Sequence, residues 1–376
     1  MTTVRDVLAI LEDWYPPHQA DEWDRVGMIC GDPDEPVERI LLAVDPVQAV
    51  AEQAVAEDAD LLIVHHPLFL RGTSSVAASD PKGRVVHDLI RSGCALYAAH
   101  TNADAPAGGV SESLALALGL QNIVPLEADP FEPLDKVVVF VPAEVAEKVR
   151  NAMAEKGAGR IGNYDMATFS SVGEGRFRPL EGARPVIGQV GQLEVVDEVR
   201  IETTVRRSLR DAVITAMKNA HPYEVPAFDV IELIAQPDET RGSGRIGQLA
   251  EPMTLQAFAE KVNKALPDTA HGVRVAGDPN QMVSTVALCG GAGDFLLGRA
   301  KAVGADVYLT SDLRHHPASE SRESGGPALI DVAHWAAEWT WLPVLQQRLV
   351  SALGGRDANV VVHISEIVTD PWTFRL

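Results

Sequence analysis

A chain of 376 residues is longer than one ordinary domain of roughly 100 to 200 residues, so two or three domains are expected. Hydrophobic residues at 46% and charged residues at 23% place it among globular chains, and its longest apolar runs, such as Ala59 to Val64, fall well short of the roughly 18 residues a membrane span requires. A formal charge of -21 opposes binding to phosphate backbones, while three scattered cysteines without a CxxC pattern, Cys30, Cys94 and Cys289, read as reduced and structural.

The first segment carries Val4, Val7, Leu8, Leu11 and Trp14 on one helical face, which predicts a helix over Val4 to Trp14 rather than an export signal, and with it a cytoplasmic location. Strand and helix signals then alternate. A strand over Arg39 to Val44 ends at Asp45, a helix covers Val47 to Glu57, and the apolar strand Asp60 to Val64 follows. Next come a helix over Gly83 to Ser92, the strand Ala95 to Ala99 and a helix from Ser111. His65 and His66 directly follow one strand, and His100 to Asp104 follows another. Open α/β sheets place their ligands beyond such carboxyl ends.

From about Glu127 the texture changes. Leu134 to Val141 reads as a strand and Ala143 to Lys156 as a helix, and a glycine-rich section then runs from Gly157 to Gly191. Val195 to Thr203 follows as a strand, Ser208 to Ala220 as a helix and Ala227 to Leu233 as a strand. The order is that of a β-α-β-β-α-β ferredoxin-type unit. Three arginines between Val205 and Arg210 read as a solvated turn or helix face. After a polar stretch over Gln236 to Gly244 that suits a linker, alternation resumes with a helix over Leu255 to Ala265, strands over Val283 to Cys289 and Ala305 to Thr310, and a helix carrying His334 to Glu338. The expected fold class is therefore α/β: a two-lobed parent domain, contributed by residues 1–126 and 241–376, split by an α+β insert at 127–240.

Three segments carry candidate chemistry. Leu61 to Val64 runs straight into His65 and His66 before Pro67 turns the chain. Adjacent side chains at a strand end point apart and suit two neighbouring metals, one each, although one histidine could equally cap the strand while the other is exposed. In His100-Thr101-Asn102-Ala103-Asp104, Asp104 is the ligand candidate, and His100 or Thr101 could orient it, though Asn and Asp also form ordinary turns. His334 and Glu338, four residues apart at a helix start, share one helical face. Together these three histidines and two carboxylates suit divalent Zn, Mn, Fe, Co or Ni better than Ca, which prefers oxygen ligands. Two other segments are possible supporting parts. Leu288 to Asp294 is a strand entering a glycine-rich turn that could bring amides to an anion. Thr310 to Pro317 ends a strand with a second pair, His315-His316, which is a rival ligand set.

These residues resemble the family of GTP cyclohydrolase type 2 homologues, also called NGG-interacting-factor-three-like proteins. The resemblance is carried by Glu22-Trp23-Asp24-Arg25-Val26-Gly27, Val64 to Leu68, His100 to Asp104, Gly290 to Gly293, Ala305 to Thr310 and His334 to Glu338. It departs from the family pattern at Arg25 and Ser311. By position the resemblance implies that His65, His66, Asp104, His334 and Glu338 ligate two divalent metals, with Glu338 touching both. Longer members carry a PII- or CutA-like insert, which Gly159 to Tyr164, Gly173 to Phe177 and Ala220 to Glu224 resemble. A homohexamer, a trimer of dimers with its metal sites facing an internal cavity, is also implied.

The function expected is a metal-dependent hydrolase of a nucleotide-like or phosphorylated small molecule. The alternative is a non-catalytic metal-binding or regulatory assembly. Nucleic-acid and membrane partners are not expected.

Overall fold

The structure, a computed structural model, describes residues 2–130, 133–162, 164–234, 237–354 and 359–376. Its mixed α/β chain divides into two compact units, Met1–Asp129 with Glu239–Leu376, and Pro130–Asp238.

The first unit begins with α1 (Val4–Trp14), whose start is fixed by a capping box between Thr3 and Asp6. There follow β1 (Gly27–Cys30), β2 (Arg39–Ala43), α2 (Gln48–Ala56), β3 (Leu61–Val64), α3 (Pro81–Ser92) and β4 (Ala95–Ala98). Helix α3 starts two residues earlier than the apolar pattern predicts, because the Asp80 carboxylate accepts from the Lys82 and Gly83 amides and Pro81 suits the first turn. A four-residue helix, α4 (Thr101–Asp104), then α5 (Val110–Ala117) and β5 (Gln121–Pro130) complete this part.

The second unit contains β6 (Leu134–Pro142), α6 (Ala146–Ala154), β7 (Thr168–Phe177), β8 (Glu194–Arg206), α7 (Arg210–Ala220) and β9 (Phe228–Glu232). Its strands are all antiparallel, in the order β7-β8-β6-β9. Val137, Val139 and Val141 of the central β6 pack on Val149 and Met153 of α6 and on Val213 and Met217 of α7. Arg207 and Arg210 are not a merely solvated face: both reach the fully buried Asp135, at 2.9 and 3.4 Å. Of the segment Gly159 to Tyr164, Asn163 lies outside the described residues.

The chain then returns to the first unit through β10 (Pro237–Thr254), α8 (Leu255–Ala265), β11 (Arg274–Ala276), β12 (Met282–Ala292), α9 (Leu297–Ala302), β13 (Val307–Ser311), α10 (His315–Glu323), β14 (Ala328–Val332), α11 (His334–Trp339), α12 (Trp341–Gly354) and β15 (Val361–Ile364). The polar stretch expected to be a linker starts at Gln236, outside the described residues, and its remainder belongs to β10. There, pairing with β12 from Arg245↔Leu288 to Gln248↔Thr285 overrides weak strand propensity.

Two sheets position the site. One has the order β1-β4-β3-β2-β15, with only β1 antiparallel to its neighbour. The other has the order β11-β14-β13-β12-β10-β5, with β12, β13 and β14 parallel. β3 and β4 are wholly buried, as continuous apolar strands of a covered parallel sheet are. A shared core containing Tyr15, Leu42, Ile63, Leu309, Ile330 and Trp341 joins the two sheets. Among the described residues no helix is long and apolar enough to cross a membrane.

Candidate metal centre

The site lies at the carboxyl ends of parallel strands from both sheets. Beyond β3 the ladder continues: the His65 amide donates to the Val44 carbonyl at 3.1 Å and the His66 amide to the same oxygen at 2.9 Å. Two neighbouring imidazoles are thereby fixed side by side, ring centroids 5.0 Å apart and tilted by 47°. α4 follows β4 and presents Asp104, and α11 follows β14 and presents His334 and Glu338 from one face.

These five side chains converge. Glu338, 3% exposed, is central. Its Oε1 lies 2.8 Å from His334 Nε2 and 3.5 Å from His65 Nε2, and its Oε2 lies 3.0 Å from His66 Nε2. Asp104 Oδ1 is 3.6 Å from His65 Nε2. Each imidazole turns Nε2 inward because its other nitrogen is engaged. His65 Nδ1 lies 2.9 Å from the Ala99 carbonyl, His66 Nδ1 2.7 Å from Asp45 Oδ1 and His334 Nδ1 2.7 Å from Asp312 Oδ2. A carbonyl only accepts, so His65 Nδ1 carries a proton and Nε2 is the ring atom that faces the centre.

Two atoms at this point are buried without a hydrogen-bond partner, His65 Nε2 and Asp104 Oδ1, and Glu338 Oε2 has only the charged contact with His66. Native proteins rarely leave such groups unsatisfied, and an ion is one resolution. The electrostatics agree. Burial would raise the Glu338 carboxyl, but His66, His334 and His65 hold it well below the usual carboxylate range. Burial would lower His66 and His334, yet Glu338, aided by Asp45 and Asp312, carries them up to about 11 and about 10. A field that favours imidazolium favours any cation placed there. Among the described residues, two groups are close enough to hold a metal ion: His65, His66 and His100, and His66, His334 and Glu338; Asp104 joins neither.

His100 therefore stands nearer the centre than a merely orienting group. Its Nδ1 lies 2.9 Å from Asp24 Oδ1, and the buried Asp24 also accepts from the Thr101 amide and hydroxyl and from the Arg25 amide. The rival pair His315-His316 is exposed at the start of α10 and joins neither group.

The supporting carboxylates were the harder part to read in advance. Asp45 ends a strand just as His65 does, and the parallel register Ala43↔Val64 is what brings it beside His66. Asp312 follows β13 with φ +56°, a backbone conformation that few residues other than glycine adopt, so strain is stored next to His334. Thr369, in a tail without any periodic pattern, donates its hydroxyl to Asp45 Oδ2.

The glycine-rich turn also serves the centre. Gly291 has φ +70°, and a Cβ there would lie 2.7 Å from Glu338 Oε1 and 3.4 Å from His334 Nε2. Gly291→Ala is expected to push the Glu338 carboxylate aside, and a metal-competition titration with a chromophoric chelator should register roughly tenfold weaker binding. Unchanged affinity would mean that Glu338 does not need this space.

The chain matches the family described as Duf34/NIF3 (NGG1p interacting factor 3) over residues 2–371. A Mycobacterium tuberculosis protein named GTP cyclohydrolase 1 type 2 homolog is 48% identical over 368 residues, which cover 98% of this chain and 96% of that protein. Among solved structures, a Bacillus cereus protein related to NIF3 is 40% identical with a TM-score of 0.74, covering 100% of this chain and 99% of that one. Staphylococcus aureus protein SA1388 is 30% identical with a TM-score of 0.83 at the same coverage.

Proposed function

This chain belongs to the Duf34/NIF3 family, and from that premise we propose that it is a dinuclear metal-dependent hydrolase of a small organic molecule. The observation that carries the reading is the convergence of three imidazole Nε2 atoms and two carboxylates on a point where His65 Nε2 and Asp104 Oδ1 are buried without a hydrogen-bond partner. The donor set fits two divalent cations of the Zn, Mn, Fe, Co or Ni type. His65 and Asp104 would serve one, His66 and His334 the other, and Glu338 both. When bound, such a pair supplies Lewis acidity and an acidified water at neutral pH. The chain's own part is to fix each imidazole through Ala99, Asp45 and Asp312, and to shelter Glu338 from solvent.

The assembly belongs to the same proposal. The β-α-β-β-α-β order of the second unit supports a ferredoxin-like, PII- or CutA-like insert. Its edge strand β7 exposes Phe169 and Val172, at 67% and 82%, and an open apolar edge is a ready site for pairing with another chain. That supports association with another chain, and the assembly proposed is a homohexamer, a trimer of dimers. Three free cysteines suit a cytoplasmic location.

The test is a screen of hydrolysable small molecules on protein of measured metal content, before and after chelation. Turnover that chelation abolishes and one metal restores is expected. Fully loaded protein that turns over nothing on a broad panel would replace the hydrolase with a non-catalytic, regulatory metal-binding assembly.

A further inference from the structure

A cavity of about 610 Å³ opens directly over the cluster, with Asp104, His334 and Glu338 in its wall. That volume suits one small ligand of two or three fused rings with a substituent. Two large side chains in the wall are left open: Trp23 is 55% exposed and Phe295 64%. Trp23 is held by an edge-to-face contact with His100, ring centroids 5.8 Å apart at 84°. Exposed aromatics beside a cluster of polar groups mark a binding surface. Trp23 belongs to the Glu22 to Gly27 segment, which supplies none of the proposed metal ligands.

Charge narrows the ligand further. Asp21, Asp104, Asp129 and Glu338 face this cavity, and among its described lining residues Arg241 is the only Lys or Arg. Arg241 is already committed, to Asp129 Oδ2 at 2.9 Å and to Gln19 Oε1 at 2.7 Å. The two histidines of the wall are engaged as well, His100 by Asp24 and His334 by Asp312 and Glu338, so no lysine and no unpaired arginine is left to meet a run of phosphates, which protein sites normally bind with free Arg, Lys or helix N-termini.

Taking the hydrolase reading of the same centre as its basis, we infer that the substrate class is a planar heteroaromatic compound with little or no negative charge, stacked on Trp23 and Phe295 with its reacting edge toward Glu338, and not a nucleoside triphosphate. The ring's N–H groups find acceptors in the carboxylates of the wall. In metal-free protein a polyphosphate tail meets those same carboxylates and no unpaired lysine or arginine, so the walls by themselves disfavour it.

Direct titration of guanosine, adenosine, their 5′-triphosphates and glycerol 3-phosphate tests this. It is run on full-length protein whose metal content is measured in the same sample, loaded and metal-free. The metal-free arm separates what the walls do from what two cations do. Nucleosides are expected to bind metal-free protein at least as tightly as their triphosphates, and glycerol 3-phosphate not at all. Trp23→Ala and Phe295→Ala should each weaken the nucleosides about tenfold, the size of a lost base stack, while Trp23→Phe retains most of the binding and metal content stays unchanged. Triphosphates tenfold tighter than nucleosides on metal-free protein would overturn the inference, as would nucleosides that fail to bind or that ignore both alanine variants. Wild-type protein that takes up no metal yet binds nucleosides through Trp23 would overturn the hydrolase reading and leave the ring site standing.

Discussion

Glu338→Gln is expected to abolish tight metal binding, with affinity falling at least 100-fold at pH 7, beyond the 10- to 100-fold typical of losing an outer partner of a ligand. The amide keeps the shape of the side chain but removes the charge facing His65, His66 and His334. The same charge sets the pH dependence. In metal-free protein His66 and His334 are held protonated up to about 11 and about 10, so each must give up a proton before it ligates. Wild-type apparent affinity should therefore climb steeply from pH 6 to 8, by about tenfold per pH unit for each proton displaced. The sign for stability is opposite. Folded-state values raised above the ordinary histidine value give metal-free protein a stabilisation that is complete below about pH 6.5 and fades as pH rises toward 10 or 11. Glu338→Gln should flatten both curves. Titrations with proton-release measurement and thermal unfolding across pH read them, and unchanged slopes would show that Glu338 does not set the charge of the imidazoles.

The second large effect is expected at Arg245. Only 1% exposed, its guanidinium donates to the carbonyls of Gly242, Gly244, Ala105 and Pro106, each at 2.8 or 2.9 Å, and its Nε to Glu112 at 3.3 Å. It therefore ties β10 to the turn that immediately follows Asp104. Arg245→Met takes a donor from four carbonyls and a carboxylate, of which Ala105 and Pro106 keep the amides of Gly242 and Gly109. The expected cost is about 3–5 kcal/mol, the range for removing one partner from a buried charged network. In a unit of this size that lowers the melting temperature by roughly 10 °C. Lysine should not rescue it, because a single ammonium cannot reproduce a planar fork of five donors. A loss below about 1 kcal/mol would mean that water replaces the guanidinium without difficulty.

What the sequence made legible follows from where its signals are local. The apolar runs before His65 and after Cys94 announce buried parallel strands, and their ends announce the site, because a strand that stops at a polar residue in an α/β sheet stops at its functional edge. The four-residue step from His334 to Glu338 is likewise a property of one helix. Less local features escaped. β1 and β15, of four residues each, are too short for their pattern to exceed chance. Strand β10 hides in a stretch rich in Gly, Asp and Glu, since its strand state comes from pairing with β12. Helix α10 buries nothing and so shows no apolar face. At the centre, Asp45 is found only through strand register, and Thr369 only by the fold of the tail. The Arg207 and Arg210 side chains looked like a solvated face because their partner, Asp135, lies some 70 residues away in sequence.

In the proposed centre two cations share Glu338. Elemental analysis of protein reconstituted under anaerobic conditions and dialysed exhaustively measures it most directly. Two divalent ions per chain are expected in the wild type, and loss of both in Glu338→Gln. A wild type that retains one ion or none, or a Glu338→Gln variant that still retains two, would contradict it.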